Sequence, residues 1–505
     1  MPIVGGRLKR TLAGGTLALL LTVPAAASAA TITPNTTADE TGGACSLRDA
    51  ISSANNNTNQ GGCAASGTYG DDTIPLPAGT YTLSIPPDGT PDDNADGDLD
   101  IGGLGNLTIS HSGLDPATID AAGIDRVLHI GSPTAATISG VTIRNGRAAT
   151  GSSGGGIRNE GTLTLSNSTI NANFTAGTGG GMTNAGTANL TNVTISANAA
   201  GGPGGGLGHS AATPLTTLNN VTVTGNTADA DADANGDGGG ISRTSGTLNL
   251  GNTIVAGNTD ATPAPGTVAP DCASAPTSLG HNLIGNTANC GYTPSTGDIV
   301  GVAPLLGPLA DNGGPTPTHG LPLSSPAVDK GSSSLAADQR AFLRPVDFPE
   351  VANSTAGGNA ADMGAFELQR ATCKGQTATH IAAAGIPLIG TDGPDVIIGS
   401  DGADVIRSRG GRDLVCAEGA KDKVNGGTAR DRIFGQKGRD RLKGKRGKDK
   451  LVGGKKKDVL KGGNGKDKLK GGKGPDVLKG GKGRDVCKGG KGDDTAAACE
   501  VEKGI

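Results

Sequence analysis

Apolar and polar positions in this chain keep two beats. From residue 391 an Asp returns every nine residues, at Asp395, Asp404, Asp413, Asp422, Asp431, Asp440, Asp449, Asp458, Asp467, Asp476, Asp485 and Asp494. Two places after each comes a small or apolar residue, running from Ile397, Ile406 and Val415 to Leu469, Leu478, Cys487 and Ala496. Strand alternation sends that residue inward and its neighbours outward. Upstream the beat is longer. GGGI begins at Gly154, GGGM at Gly179, GGGL at Gly204 and GGGI at Gly238, in steps of 25, 25 and 34 residues. Between them recur NSTINAN, NVTISAN, NVTVTGN and NTIVAGN.

Within those phrases Ile170, Ile195, Val223 and Val255 share one position, and Thr169, Thr194 and Thr222 face the other way. Asn173, Asn198, Asn226 and Asn258 fall where each short strand turns. Repeating β-branched strands cut by Gly and Asn predict coils of a parallel β-helix, stacked about 4.8 Å apart. Ile then lies on Ile, and the Asn amides bond up the stack. The longer third step contains DADADANGD, an outward loop. One helix is predicted ahead of the coils. In ACSLRDAISSAN (44–55), Leu47, Ala50, Ile51 and Ala54 form one apolar face, suited to plug the open end of a solenoid.

Composition narrows the core. The 505 residues include 89 Gly, no Trp and only 2% aromatic residues, so a core must come from stacked Val, Ile and Leu. Gly at this level without a period suggests disorder; with one it suggests a solenoid. The chain reads as all-β: a parallel β-helix followed by a parallel β-roll.

The first 29 residues read as a signal peptide. Arg7, Lys9 and Arg10 precede an apolar run and an A-x-A site at Ala27-Ser28-Ala29. Export to the cell surface or medium follows, and no later segment reaches the roughly 18 apolar residues of a spanning helix. The eight Cys suit that compartment. Proximity pairs Cys45 with Cys63, Cys272 with Cys290, Cys373 with Cys416 and Cys487 with Cys499, a guess among many connectivities. No CxxC occurs, which argues against a zinc or thiol-redox site.

Charge splits the chain. Residues 391–505 hold 29 Lys and Arg against 18 Asp and Glu, a balance of +11; the whole chain is −4, which leaves −15 for residues 1–390. Two modules with different partners are implied. The basic end suits extracellular or cell-wall polysaccharide or another polyanion. Nucleic acid is not expected, because the tail offers no aromatic stacking platform.

Two resemblances add to this reading. ACSLRDAISSAN is similar to the CSLREA motif of exported bacterial β-helix proteins, and GDLDI (97–101), DRVLHI (125–130) and ISGVTIRNG (138–146) are similar to that family's continuation. LSSPAVDKG, ADQRAFLRPVD and ADMGAFE (323–367) resemble its choice-of-anchor Q ending. The resemblance implies a right-handed parallel β-helix with no agreed chemistry. The nine-residue beat resembles the GGxGxDxUx repeat of repeats-in-toxin proteins. This implies a roll with two repeats per coil, holding calcium between Asp carboxylates and turn carbonyls.

The domains expected are a signal peptide (1–29), an N-terminal cap with the CSLREA-like helix (30–110), the β-helix (111–300), its C-terminal cap (301–370), a linker (371–390), the roll (391–496) and a tail (497–505). Calcium is expected at Asp392, Asp395, Asp401, Asp404, Asp413, Asp422, Asp467, Asp476, Asp485 and Asp494, and most strongly near Asp395 and Asp404 in TDGPD and SDGAD. Later turns carry Lys437, Arg446, Lys455, Lys473, Lys482 and Lys491 where an acid or amide is usual. These cations either neutralise the Asp ladder or reach into solvent and leave the turn to the metal.

Two acidic loops are further candidates. Asp92, Asn94, Asp96, Asp98 and Asp100, and then Asp231, Asp233, Asn235 and Asp237, alternate around a Gly like the start of a calcium loop, though neither has Glu at the twelfth place. Each reads equally as a solvated acidic loop. For catalysis, Asp120, Asp125, Arg126, Arg144 and Arg158 lie on early coils, but no HExxH or GxSxG occurs and their spacing demands no chemistry. The function expected is a surface or secreted binder with calcium in its C-terminal repeats. The alternative is a polysaccharide lyase or hydrolase that uses the roll for targeting.

Overall fold

The computed structural model describes residues 29–503 apart from 89–93, 104, 114, 210–212, 383, 384 and 386. The signal-peptide reading of residues 1–29 falls, but for Ala29, outside the described residues. Two compact units divide between Leu368 and Gln369.

The first unit is a parallel β-helix. Three sheets run along it, and the longest strands, Thr162–Asn171, Thr187–Ser196 and Leu215–Thr224, stack directly on one another. The register places Ile143, Ile170, Ile195, Val223, Val255 and Ile284 in one inward column. Leu165, Leu190, Leu218 and Leu250 form a second. All of these are fully buried, so the core is built from aliphatic columns as the composition requires.

At one corner the Asn column closes the turns. Asn173 Nδ2 donates to Asn198 Oδ1, Asn198 to Asn226 and Asn226 to Asn258, each at 2.9 Å, and Asn258 donates to Asp271 Oδ1 at 2.9 Å. The triple glycines lie against this ladder. A Cβ on Gly206 would stand 2.6 Å from the carbonyl oxygen of Gly240 and 3.0 Å from the Asn226 amide, so only Gly lets the coils close there.

The helix spans Leu47–Asn56. Ser46 caps it, its Oγ accepting from the Asp49 N–H at 3.0 Å. Leu47, Ala50, Ile51 and Ala54 are all buried and join the first coils' core, as the apolar face predicted.

The segment 301–370 differs from the expected end cap, because it lies along the side of the coils. The outward column Thr169, Thr194 and Thr222 is almost fully buried beneath it. Gln339 Nε2 donates to Thr169 Oγ1 at 2.9 Å, Thr194 Oγ1 donates to Gln339 Oε1 at 2.7 Å, and the Ala365 N–H donates to Thr222 Oγ1 at 3.0 Å. Farther along, the same column becomes Ile254 and Leu283, which pack against Leu321, Val328, Phe348, Met363 and Phe366. Threonine hydroxyls are matched by a polar part of the strap and aliphatic side chains by an apolar part. The Thr169–Thr194–Thr222 column is therefore covered, whereas the column Thr137, Thr164 and Asn189 on the same coils stays exposed.

The second unit is the roll, two parallel sheets of eight and seven strands. It exceeds its expected limits. His380–Ile381 and Leu388–Ile389 pair with the strands that follow, and Val501–Lys503 pairs with Val486–Lys491. Residues read as linker and tail thus supply the first and last strands. Ile397, Ile406, Val415, Val424, Ile433, Leu442, Leu451, Leu460, Leu469, Leu478 and Cys487 fill its interior. All four disulfides are those that proximity proposed.

Candidate metal centre

Residues 18 apart occupy equivalent places on successive coils of the roll, so the Asp beat becomes two ladders. Asp395 to Asp485 are at most 4% exposed, and Asp494 is nearly as buried. One oxygen of each rung from Asp413 onward is taken by the backbone. The N–H of Asp431 donates to Asp449 Oδ1 at 2.9 Å, that of Asp440 to Asp458 Oδ1 at 2.9 Å and that of Asp458 to Asp476 Oδ1 at 2.8 Å.

The second oxygen is different. Oδ2 of Asp413, Asp422, Asp431, Asp440, Asp449, Asp458, Asp467, Asp476, Asp485 and Asp494 is buried with no hydrogen-bond partner. A buried carboxylate oxygen left so is costly unless a cation or proton reaches it. From Asp431 onward the residue five places before each Asp is Gly, which leaves the space beside it, whereas Ser408 and Ala417 stand there for Asp413 and Asp422. A Cβ on Gly435 would come within 2.5 Å of Asp440 Oδ2 and 2.7 Å of the Gly453 carbonyl oxygen on the next coil. Gly444 and Gly453 repeat the arrangement with Asp449 and Asp458. A carboxylate oxygen and a peptide carbonyl thus crowd each cradle, the donor set that calcium takes.

Burial, with a smaller contribution from neighbouring carboxylates, pushes Asp422, Asp431 and Asp458 up to about 7. Burial raises Asp440 and Asp467 to about 6. These groups lack a compensating positive charge. The turn lysines do not supply one: among the described residues, no Lys or Arg lies within 4.0 Å of a ladder carboxylate. Lys437, Arg446, Lys455, Lys473, Lys482 and Lys491 are exposed. Of the two readings open at the sequence level, the geometry builds the solvent-facing one.

The first two rungs, where calcium was expected most strongly, are instead satisfied by protein. Asp395 Oδ2 accepts from the Thr391 N–H at 2.7 Å, and Asp404 Oδ2 accepts from the Ser400 N–H at 2.6 Å; both hydroxyls add further bonds. From Asp413 on, the residue four places earlier is never Ser or Thr. The expected set also left out Asp431, Asp440, Asp449 and Asp458, which are as buried as the rest. Asp392 and Asp401 are exposed at the tips of the first turns, outside the ladder.

The acidic loop at 92–100 is a correction, since the fold itself uses its residues. Asp92 lies outside the described residues. The buried guanidinium of Arg48 donates to the backbone carbonyls of Asp96, Gly97 and Asp98. Asp98 pairs with Arg126 at 2.6 Å and Asp100 with His129 at 2.9 Å, while Asn94 and Asp100 clamp each other's backbone N–H. These side chains have protein partners, and among the described residues the loop forms no metal-sized cluster of carboxylates.

In the second loop, Asp231 and Asp233 gather with Asp229, their oxygens within 4.8 Å, and Asp229 was missing from the expected set. Asp229 accepts from the Asp233 and Ala234 N–H groups and so shapes the loop. Asn235 donates its N–H to Asp233, and Asp237 lies outside the cluster. The imagined catalytic residues are likewise engaged: Asp120 with Arg144 at 2.8 Å and with Asn145, and Arg158 with Glu160.

Residues 388–415, 417–451, 425–460, 443–474 and 461–496 match the RTX calcium-binding nonapeptide repeat. No curated protein matches the chain. Among solved structures, the crystal structure of pectate lyase Pel9A aligns with 68% of this chain and 98% of its own, at 13% identity and a TM-score of 0.34.

Proposed function

We propose that this is an exported surface or secreted protein whose C-terminal roll is ordered by calcium and binds extracellular or cell-wall polymers, with the β-helix as a rigid rod. The observation that carries it is the run of ten buried Asp Oδ2 atoms without partners, those of Asp431 to Asp485 each beside an inter-coil carbonyl, in repeats of the calcium-binding type. Bound calcium supplies the positive charge those oxygens lack. The chain holds the carboxylates in register through the Asp N–H to Oδ1 bonds, and its lysines stay outside, free to meet a polyanion. The hydrolase reading needs a pair of carboxylates open to substrate in one groove, and the lyase reading needs a basic residue beside a calcium-bound uronate. Asp98, Asp100 and Asp120 are instead bonded within the fold.

Calorimetric titration of the full chain with calcium after chelation, with circular dichroism before and after, tests the proposal. Heat together with gained β-signal is the expected result. A chelated protein already fully ordered and silent to calcium overturns it.

A further inference from the structure

Two columns of cations run side by side along one edge of the roll. Arg412, Arg430, Lys448 and Lys466 each directly precede a ladder Asp, and Arg432, Lys450 and Lys468 each directly follow one. The second column is in strict register, Arg432 on Lys450 on Lys468. All seven are exposed, and together they line one groove of about 730 Å³. Asp413 and Asp449 of the ladder lie at its floor.

We infer that this groove binds a linear carboxylated polysaccharide, a polyuronate, laid along the roll with about one sugar carboxylate per coil. The inference rests on the calcium-ordered roll proposed above and names the polymer and its site. Period is the first argument. The coils advance about 4.8 Å each, and a hexuronate ring with its bridging oxygen spans roughly the same length while carrying one carboxylate. The coils of Asp431, Asp449 and Asp467 thus each present a flanking pair of cations to one anion and that of Asp413 presents Arg412 alone, and Arg412, Arg430 and Arg432 offer the fork that a carboxylate accepts.

The floor is the second argument. Without metal the Asp ladder beneath the groove would repel an anionic chain when ionised; with calcium that charge is cancelled and the cations act alone. Binding is therefore calcium-dependent. Third, nucleic acid fits poorly. A duplex carries a charge about every 1.7 Å of its axis, and single strands are held by aromatic platforms. Phe434 is the single aromatic of residues 391–505, and Lys374, Arg432 and Lys450 already sit over its ring at 4.8, 5.8 and 5.8 Å.

The test uses the full chain in calcium, titrated with oligogalacturonates of graded length, their methyl-esterified counterparts and polyphosphate. Expected are binding of the acid form alone, affinity that climbs with each added sugar and then levels off, and a loss of roughly fiftyfold between about 50 and 200 mM salt for about four neutralised charges. The triple variant Arg430→Gln, Lys448→Gln, Lys466→Gln should bind about tenfold or more weakly and keep the calcium-induced dichroism. The pair Lys461→Gln, Lys479→Gln, outside the groove, should bind unchanged. Equal binding of the ester, an unaffected triple variant or tighter binding of polyphosphate overturns the inference. If the dichroism responds to calcium but the uronate does not bind, only the groove assignment fails. If calcium has no effect, the roll reading fails with it.

Discussion

The backbone N–H of Asp440 donates to Asp458 Oδ1, one coil on, at 2.9 Å, and Asp458 Oδ2 is left buried without a partner. One carboxylate thus both splices two coils and presents an unsatisfied oxygen. Repeated along the ladder, this makes the roll's stability a function of what neutralises those oxygens.

Protons are one such neutraliser. Asp422, Asp431 and Asp458 stand at about 7 in the fold, against 3.8 for an ordinary Asp, because burial penalises the charged form. Between those values the folded state binds more protons than the unfolded state, so its stability falls as pH rises. In chelator the roll should be most resistant to urea near pH 4 and weaken steadily to pH 7. A midpoint that rises across that window contradicts the assignment.

Calcium competes for the same oxygens. At about pH 6, below the raised values near 7, its binding should expel protons, and its apparent affinity should grow as pH rises toward 8. Calorimetry at pH 6 in two buffers of different ionisation enthalpy reads the released protons directly. Identical heats in both buffers would count against metal on the ladder.

Gly438 precedes Asp440 by two and holds φ +140°, and a Cβ there would lie 1.4 Å from the Ala420 carbonyl oxygen. Gly438→Ala should prise apart two coils at about 3 kcal/mol or more. The loss should appear as a blunted dichroic response to calcium while β-helix unfolding stays unchanged.

In the β-helix, Asn226 donates to Asn258 and to the Ile195 carbonyl, and accepts from the Asn198 backbone and side chain. Asn226→Leu leaves buried partners on both neighbouring coils unpaired, costing about 3 kcal/mol. Urea unfolding of the first unit measures it, and a shift near zero would show that the ladder adds nothing.

Gln339 joins the strap to Thr169 and Thr194 of the coils through buried bonds, and bonds Thr316 within the strap. Gln339→Leu should loosen residues 301–370 by about 2 kcal/mol, visible as faster limited proteolysis within the strap. Cleavage at the wild-type rate would make that contact dispensable.

What the sequence alone determined is everything that repeats. The inward columns, the Asn ladder, the nine-residue roll and the capping helix were legible because in a solenoid each residue meets its own kind one period away. Local spacing is then also tertiary contact. Only the tertiary structure decided what does not repeat. Gln339 meets Thr169 across 170 residues, and Arg48 reaches the carbonyls of 96–98 across nearly 50, so neither the buried Thr face nor the fate of the acidic loop is written in any period. The lysines show the same limit within a period. Their recurrence was plain, yet their direction depends on the strand pleat and the tight Gly turns. These turn the cations outward and leave Oδ2 of Asp413 to Asp494 inside, where among the described residues no Lys or Arg meets it.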